Sequence, residues 1–359
     1  MLAALSFIIV ISVLVFVHEL GHFLTAKLAG IRVQEFAMGF PPRILGIHRG
    51  ETTYSINAIP LGGYVRMAGE EDPSVPGSLA GKKTWVRAIV LAAGAFNNLL
   101  LAVLLFAVVA MVPKQVQAGD VLVTDVFSSS PAAAAGIRAG DVVRRVNGQL
   151  IDNSGELQYQ LQLHLGADTA LAVERDGQTL ETHVVPRWLP PEGQGATGIK
   201  VRLEHPQLIV KADSFFPALW HGAGRTVDTV VLVKNTLTRW VLGKLSNNPA
   251  NGTDAPALSG PVGVAQLTGE VARLGMLPLI ELAALLSLNL AVMNIMPLPA
   301  LDGGRLLFVA VEVIRGKPIP ARKEALVHMA GFVLLMTTML IISYFDIMRI
   351  AHGGSLIGG

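Results

Sequence analysis

Apolar positions along the chain fall into two kinds of run. Four stretches, Leu2–Leu24, Ala88–Val112, Leu277–Met296 and Met329–Phe345, are hydrophobic almost without interruption. Each has the roughly 20 residues that a helix needs to cross a bilayer core. Between Gly119 and Arg187 the pattern shortens and alternates. Val121–Phe127 reads as a strand and Pro131–Gly136 as a turn of helix, and Val142–Ile151 reads as strands broken at Asn147-Gly148. Ser154 reads as the cap of a helix carrying Leu157, Leu161 and Leu165, and Thr169–Glu174 and Thr179–Val185 flank Asp176-Gly177. Asn-Gly and Asp-Gly between alternating runs are strong hairpin signals. Farther on, Val227, Val230, Val231, Leu237 and Val241 recur with helical spacing among Asp228, Lys234 and Arg239. Thr226–Leu242 is therefore expected to be an amphipathic helix lying on the protein or on the membrane surface. Ser246–Pro261, rich in Asn, Pro and Gly, reads as a loop.

The expected organisation is four parts. Residues 1–112 carry two membrane helices and the loop between them, 113–210 a β-rich domain, 211–275 an amphipathic connection, and 276–359 two more membrane helices.

Composition strengthens the membrane reading and removes several alternatives. The chain is 52% hydrophobic and 15% charged, against roughly 25% charged in soluble domains. Its formal net charge is +2 with no block of like charge, so nothing marks a nucleic-acid surface. There are no cysteines, which leaves histidine and carboxylate as the strong metal ligands. The opening run lacks the basic start and small-residue cleavage site of a signal peptide, and it continues into His18, Glu19 and His22, so it reads as a retained membrane helix. Basic residues gather at 27–87 and at 305–323, which places both connections on the cytoplasmic side. Both termini and the long connection from Pro113 to about Met276 then fall outside.

The candidate chemistry lies in the first helix. His18-Glu19-Leu20-Gly21-His22 sets two imidazoles one turn apart on one face, with a carboxylate between them. That is the spacing in which two histidines chelate zinc and the glutamate polarises a water molecule. An ionisable residue at membrane depth is itself a functional signal. A catalytic zinc takes three protein ligands, yet Thr25 and Leu28 occupy the positions where a longer soluble motif would continue. Asp302 is the better third candidate, at the end of Asn294-Ile295-Met296-Pro297-Leu298-Pro299-Ala300-Leu301-Asp302-Gly303-Gly304-Arg305. Two prolines there break the helix, and irregular backbone at depth survives only where protein buries it or a cavity adjoins it. The other histidines, His328 among them, read mostly as solvated or satisfied side chains of loops, the outer domain and helix ends. Glu281 and His328 stand next in line as ligands.

These motifs resemble the site-2 protease family of intramembrane metalloproteases, in its bacterial single-PDZ branch of regulator of sigma-E protease-like proteins. The likeness extends to Asn57–Glu70, to Gly94-Ala95-Phe96-Asn97-Asn98 and to Leu258–Gly269. Ala95 stands where the family often has proline. Ala-Gly-Ile-Arg-Ala-Gly-Asp at 135–141, followed by Arg145-Val146-Asn147-Gly148, is similar to a bacterial PDZ domain. The resemblance implies a polytopic α-helical membrane protein of about four spans with an inserted extracytoplasmic PDZ-like domain, in the bacterial inner membrane. It implies Zn2+ held by His18, His22 and Asp302, with Glu19 as general base and acid. Asn294 would hydrogen-bond the substrate backbone, and the hairpin-like Thr52–Met67, through Gly62, Gly63 and Tyr64, would lend the substrate an edge strand. Implied partners are the lipid bilayer and single-span membrane proteins already shortened by another protease, with no nucleic acid. Two rival classes would look different: a metal transporter would show inverted repeats, and an inert PDZ-bearing scaffold would lack Glu19 or a ligand.

Overall fold

The computed structural model of the chain describes residues 2–246 and 260–352. The loop expected over Ser246–Pro261 lies, but for its ends, outside them, as do Leu258 and the last residues of the chain. In chain order the elements are α1 (Leu2–Leu28), β1 (Val33–Arg49), β2 (Thr52–Met67), α2 (Thr84–Met111), β3 (Lys114–Val126), α3 (Pro131–Ala134), β4 (Val142–Val146), β5 (Gln149–Leu150), α4 (Ser154–Leu163), β6 (Thr169–Arg175), β7 (Gln178–Val184), β8 (Ile199–Lys211), α5 (Phe215–Leu245), α6 (Pro261–Leu274), α7 (Met276–Ile295), α8 (Asp302–Arg315) and α9 (Ala321–Ala351). Four of these helices, α1, α2, α7 and α9, are long and apolar enough to cross a membrane. Three overrun the apolar windows, since helical hydrogen bonding continues through polar ends such as Thr84–Arg87 and Arg322–His328.

Contacts divide the chain into two compact units. One gathers α1, β1, β2, α2 to Val109, Leu219–Thr226 of α5, and α6 to α9. The other gathers Ala110–Ala218 and the remainder of α5.

The second unit is a six-stranded antiparallel sheet in the order β7-β6-β4-β3-β8, with β5 paired to β4. Val121, Val123, Val143, Val146 and Val173 point inward from its strands and meet Leu157 and Leu161 of α4. Buried Asp141 accepts both Nε (2.6 Å) and a terminal nitrogen (2.8 Å) of Arg175, and also the Arg138 N–H at 2.8 Å. Burial pushes its carboxyl up, but the Arg175 guanidinium and the Arg138 N–H outweigh burial and hold it below the usual carboxylate range. The cap of α4 is Asn153, whose side chain accepts the Glu156 N–H, and Ser154 is the first helical residue; the expected cap is therefore one residue late. The added strand β8 closes the sheet beside β3 despite Pro206, where His205 turns at a positive φ and breaks the alternation that would have announced it.

In the first unit β1 and β2 do not form a simple hairpin. Val33–Met38 is flanked on one side by Gly63–Met67 and on the other by Thr53–Ile56, which also pairs with the stretch from Leu45 to His48. Thr52–Met67 is thus not a hairpin folded on itself, as its sequence suggests; its two halves embrace the first half of β1. Gly39 at φ +81° and Gly62 at φ +108° supply the turns. Glu35, buried at the centre, accepts from Ser55 (2.7 Å) and Arg43 (2.6 Å). Gly63–Met67 is left as an edge.

The buried Asp346 of α9 accepts the Gly260 and Gly263 N–H groups, each at 2.8 Å, and so caps α6. A Cβ at Gly263 would lie 2.9 Å from that carboxylate, which accounts for the glycines of Gly260-Pro261-Val262-Gly263.

Candidate metal centre

Small residues bring α1 and α2 close enough to share a site. A Cβ at Gly21 would stand 2.8 Å from the Ala93 carbonyl carbon, and one at Gly94 would stand 2.7 Å from His18 Nε2 and collide with His22 Nε2. Glycine at both places lets the α2 backbone lie directly against the two imidazoles. His22 Nδ1 meets the Val90 carbonyl oxygen at 2.8 Å and can only donate to it. Its Nε2 is therefore the bare nitrogen, facing His18 Nε2 at 3.2 Å.

Asp302 reaches the same point from the other side of the unit. Helix α7 stops at Ile295, the prolines carry the chain through a turn, and α8 begins at Asp302. The turn places Ala300 at φ +76°, a conformation that costs a non-glycine residue on the order of 1 kcal/mol. His328 offsets that strain by accepting the Ala300 N–H at Nδ1, 3.0 Å away. Gly331, one turn further along α9, lets Pro299 sit against the helix, where a Cβ would come within 2.9 Å of the Pro299 carbonyl carbon. Gly303 does the same for Ile295, at 2.6 Å. Held in this way, Asp302 Oδ2 lies 3.1 Å from His18 Nε2 and 3.2 Å from His22 Nε2. His328, read from sequence among the solvated or satisfied histidines of loops, the outer domain and helix ends, lies inside α9 and braces this turn. It stands outside the ligand cluster, as does Glu281, which faces Arg225 at 3.7 Å.

The three donor atoms are mutually separated by 3.1, 3.2 and 3.2 Å. Donors around a tetrahedral zinc with bonds near 2.0–2.1 Å lie roughly 3.3 Å apart, so this set fits that ion. Among the described residues, His18, His22 and Asp302 are the one group of three or more such side chains close enough to hold a metal.

A cavity of about 610 Å³ opens on the cluster and is lined by Glu19, Tyr64, Asn294, Arg305 and His328 as well as by the three donors. The Val65 N–H faces the Glu19 carboxylate. Asn294 presents its amide to the same cavity while donating to the Leu290 carbonyl at 2.9 Å. Gly63 lies behind Glu19, where a Cβ would stand 3.2 Å from Glu19 Cγ, whereas Gly62 packs on Phe40. Arg305, three residues past Asp302, pairs with Glu70 at 2.6 Å and ties α8 to the segment following β2. Gly94, Glu70 and Arg305 lie in stretches that carry the family likeness, but neither that pair nor the contacts of Val90, Gly94 and His328 with the site could be read from them. A further signal was the four-residue spacing of Val90, Gly94 and Asn98, matching that of His18 and His22.

Membrane-length helices together with a histidine, histidine and aspartate cluster beside a glutamate carboxylate are the parts that a metallopeptidase of the membrane needs. The chain belongs to peptidase family M50, whose profile matches residues 6–338. It is a metalloprotease and an integral membrane protein. It is similar to a Clostridium acetobutylicum protein provisionally named a zinc metalloprotease, at 34% identity over 95% of this chain and 96% of that one. It is similar also to the regulator of sigma-W protease RasP of Bacillus subtilis, at 29% identity over 96% of this chain and 98% of RasP. The zinc metalloprotease RasP of Geobacillus kaustophilus shares 30% identity over 96% of this chain and 97% of its own. Among solved structures, the PDZ domain of an SdrC-like protein from Listeria innocua aligns over 24% of this chain and 97% of its own, at 22% identity and a TM-score of 0.21.

Proposed function

We propose that the protein is a zinc-dependent intramembrane protease in which His18, His22 and Asp302 hold the metal and Glu19 moves the protons. The observation that carries this reading is the convergence of three donor atoms at 3.1–3.2 Å beside a fourth side chain, Glu19, in one cavity. Zinc bound there supplies Lewis acidity toward a peptide carbonyl and toward a water molecule. The Glu19 carboxylate takes a proton from the attacking water and later delivers one to the leaving nitrogen. The Val65 backbone N–H faces it, and Gly63, having no side chain, lets the strand lie against its stem.

The edge Gly63–Met67 offers unpaired backbone groups beside Glu19, and a substrate helix that unwinds can add to it as a strand. Tyr64 and Asn294 flank the scissile segment, and the Asn294 amide offers a donor and an acceptor to extended backbone. Gly62 and Gly63 let that edge approach. Substrates are single-span membrane proteins already trimmed outside the bilayer by another protease, anti-sigma factors and remnant signal peptides being the classes that fit. The basic connections lie in the cytoplasm and the β-rich, PDZ-like unit outside, where it tests the outer part of a candidate substrate.

Comparison of membrane proteomes from cells carrying Glu19→Gln and wild type tests the reading. Single-span stubs should accumulate in the variant, and purified Glu19→Gln should keep its zinc while cleaving about 10³-fold more slowly. Normal processing in the variant would contradict it.

A further inference from the structure

Three successive turns of α2 face the imidazoles, and each does a different thing. Val90 offers its carbonyl to His22 Nδ1, Gly94 makes room for both rings, and Asn98 lies with its side-chain amide 3.3 Å from His18 Nδ1. Asn98 is fully buried, and its Oδ1 has no partner. A buried amide oxygen without a donor is costly, on the order of 1–3 kcal/mol. The donor within reach is His18 Nδ1, because a ring whose Nε2 ligates zinc carries its one proton on Nδ1. Turning the amide over about its last bond exchanges Oδ1 and Nδ2 without changing the shape of the side chain, and it sets the oxygen against that N–H.

We infer that Asn98 is a positioning residue whose side-chain oxygen accepts from His18 Nδ1–H and fixes the tautomer in which His18 binds zinc through Nε2. It does for His18 what the Val90 carbonyl does for His22. The backbone of the same residue is locked as well, since the Ser287 hydroxyl of α7 donates to the Asn98 carbonyl at 2.8 Å. The polar face of α2 is therefore held from both sides: α1 presents the ligand and α7 keeps its support in register. A donor in place of the oxygen would force the proton onto Nε2 and remove the ligand's lone pair.

The inference rests on the zinc reading above, and the two can fail separately. Zinc dissociation constants measured by chelator competition on the purified full chain decide between them. Wild type that binds no zinc defeats the metal assignment itself. Given binding by wild type, Asn98→Leu, which keeps the volume and removes the acceptor, should weaken zinc 10–100-fold, the range for losing a hydrogen-bond partner of a ligand histidine. Asn98→Asp can only accept, and it should bind zinc as tightly as wild type or more so. Asp binding as poorly as Leu would show that the amide acts as a donor, and Leu binding like wild type would show that the contact is idle; either overturns the inference. If Asn98→Leu does not fold, the Asp variant decides together with ¹⁵N-histidine spectra of the zinc-loaded wild type. Those spectra should show the His18 proton on Nδ1, and a proton on Nε2 would overturn the inference.

Discussion

The interior of the β-rich unit and the interior around the candidate metal centre are built on opposite rules. In the first, Val121, Val123, Val143, Val146 and Val173 fill the space between sheet and helix with branched side chains, each 0–1% exposed. In the second, the surfaces that meet are backbone and polar side chains: Gly21 and Gly94 between α1 and α2, Gly303 and Gly331 around the Asp302 turn, and buried His18, His22 and Asn98. Volume holds the first together, and its loss is felt as stability. In the second, closeness comes from having no side chain at all. Adding a single carbon there displaces the imidazoles, so the damage is felt as geometry. One chain thus separates a region whose sequence is read by periodicity from one that is read by spacing.

Changes of opposite sign in the two regions sharpen this contrast. Leu171→Ala removes a fully buried side chain from the sheet and should cost about 3 kcal/mol, roughly 150-fold in the unit's folding equilibrium. Zinc affinity of the folded chain should stay at the wild-type value, checked by chemical denaturation and metal titration of the same preparation. Gly94→Ala does the reverse. Its Cβ would fall 2.7 Å from His18 Nε2, so the rings must shift by several tenths of an ångström. Misplacement of this kind should lower turnover about a hundredfold while leaving the unfolding transition nearly unmoved. Equal effects of the two substitutions on zinc binding would erase the distinction.

A smaller effect concerns Asp141, the buried carboxylate that pairs with the half-buried Arg175 of the sheet. Because the Asp141 carboxyl is held below its usual range, its contribution to stability is complete above the unfolded pKa of about 4 and fades as pH falls through the lower, folded value. Asp141→Asn should therefore cost about 2 kcal/mol at neutral pH. The gap between variant and wild type should narrow below about pH 4, measured by urea unfolding at a series of pH values. A gap that widens on acidification would mean that the carboxyl is not stabilised as the anion.

Much of this architecture is legible from residues alone, for identifiable reasons. His18, Glu19 and His22 stand out because ionisable groups are rare in an apolar helix, and Asp302 stands out because prolines break the helix before it. The strands β4, β6 and β7 follow from alternation around Asn-Gly and Asp-Gly. Other elements hide. The first strand β1 is interrupted by Gly39, Pro41 and Pro42, and it pairs on both sides, so its partners cannot be inferred from a hairpin rule. The start of α5 at Phe215 precedes its amphipathic pattern. His328 gave no sign of its role, since a helix-interior histidine that accepts one backbone N–H looks in sequence like any other. Gly94 and Asn98 stand in a stretch that carries the family likeness, yet their roles are hidden: small and amide residues are common where helices pack, and only the position of the imidazoles across from them gives them meaning.

The central claim is that His18, His22 and Asp302 together make one zinc site. Metal analysis and chelator competition on the purified full chain, wild type beside Asp302→Ala, test it most directly. Wild type should carry about one zinc per chain, and Asp302→Ala should bind it more weakly than the 10–100-fold loss expected of an outer partner, with proteolysis abolished. An Asp302→Ala protein that retains one zinc at wild-type affinity and cleaves normally would contradict the assignment.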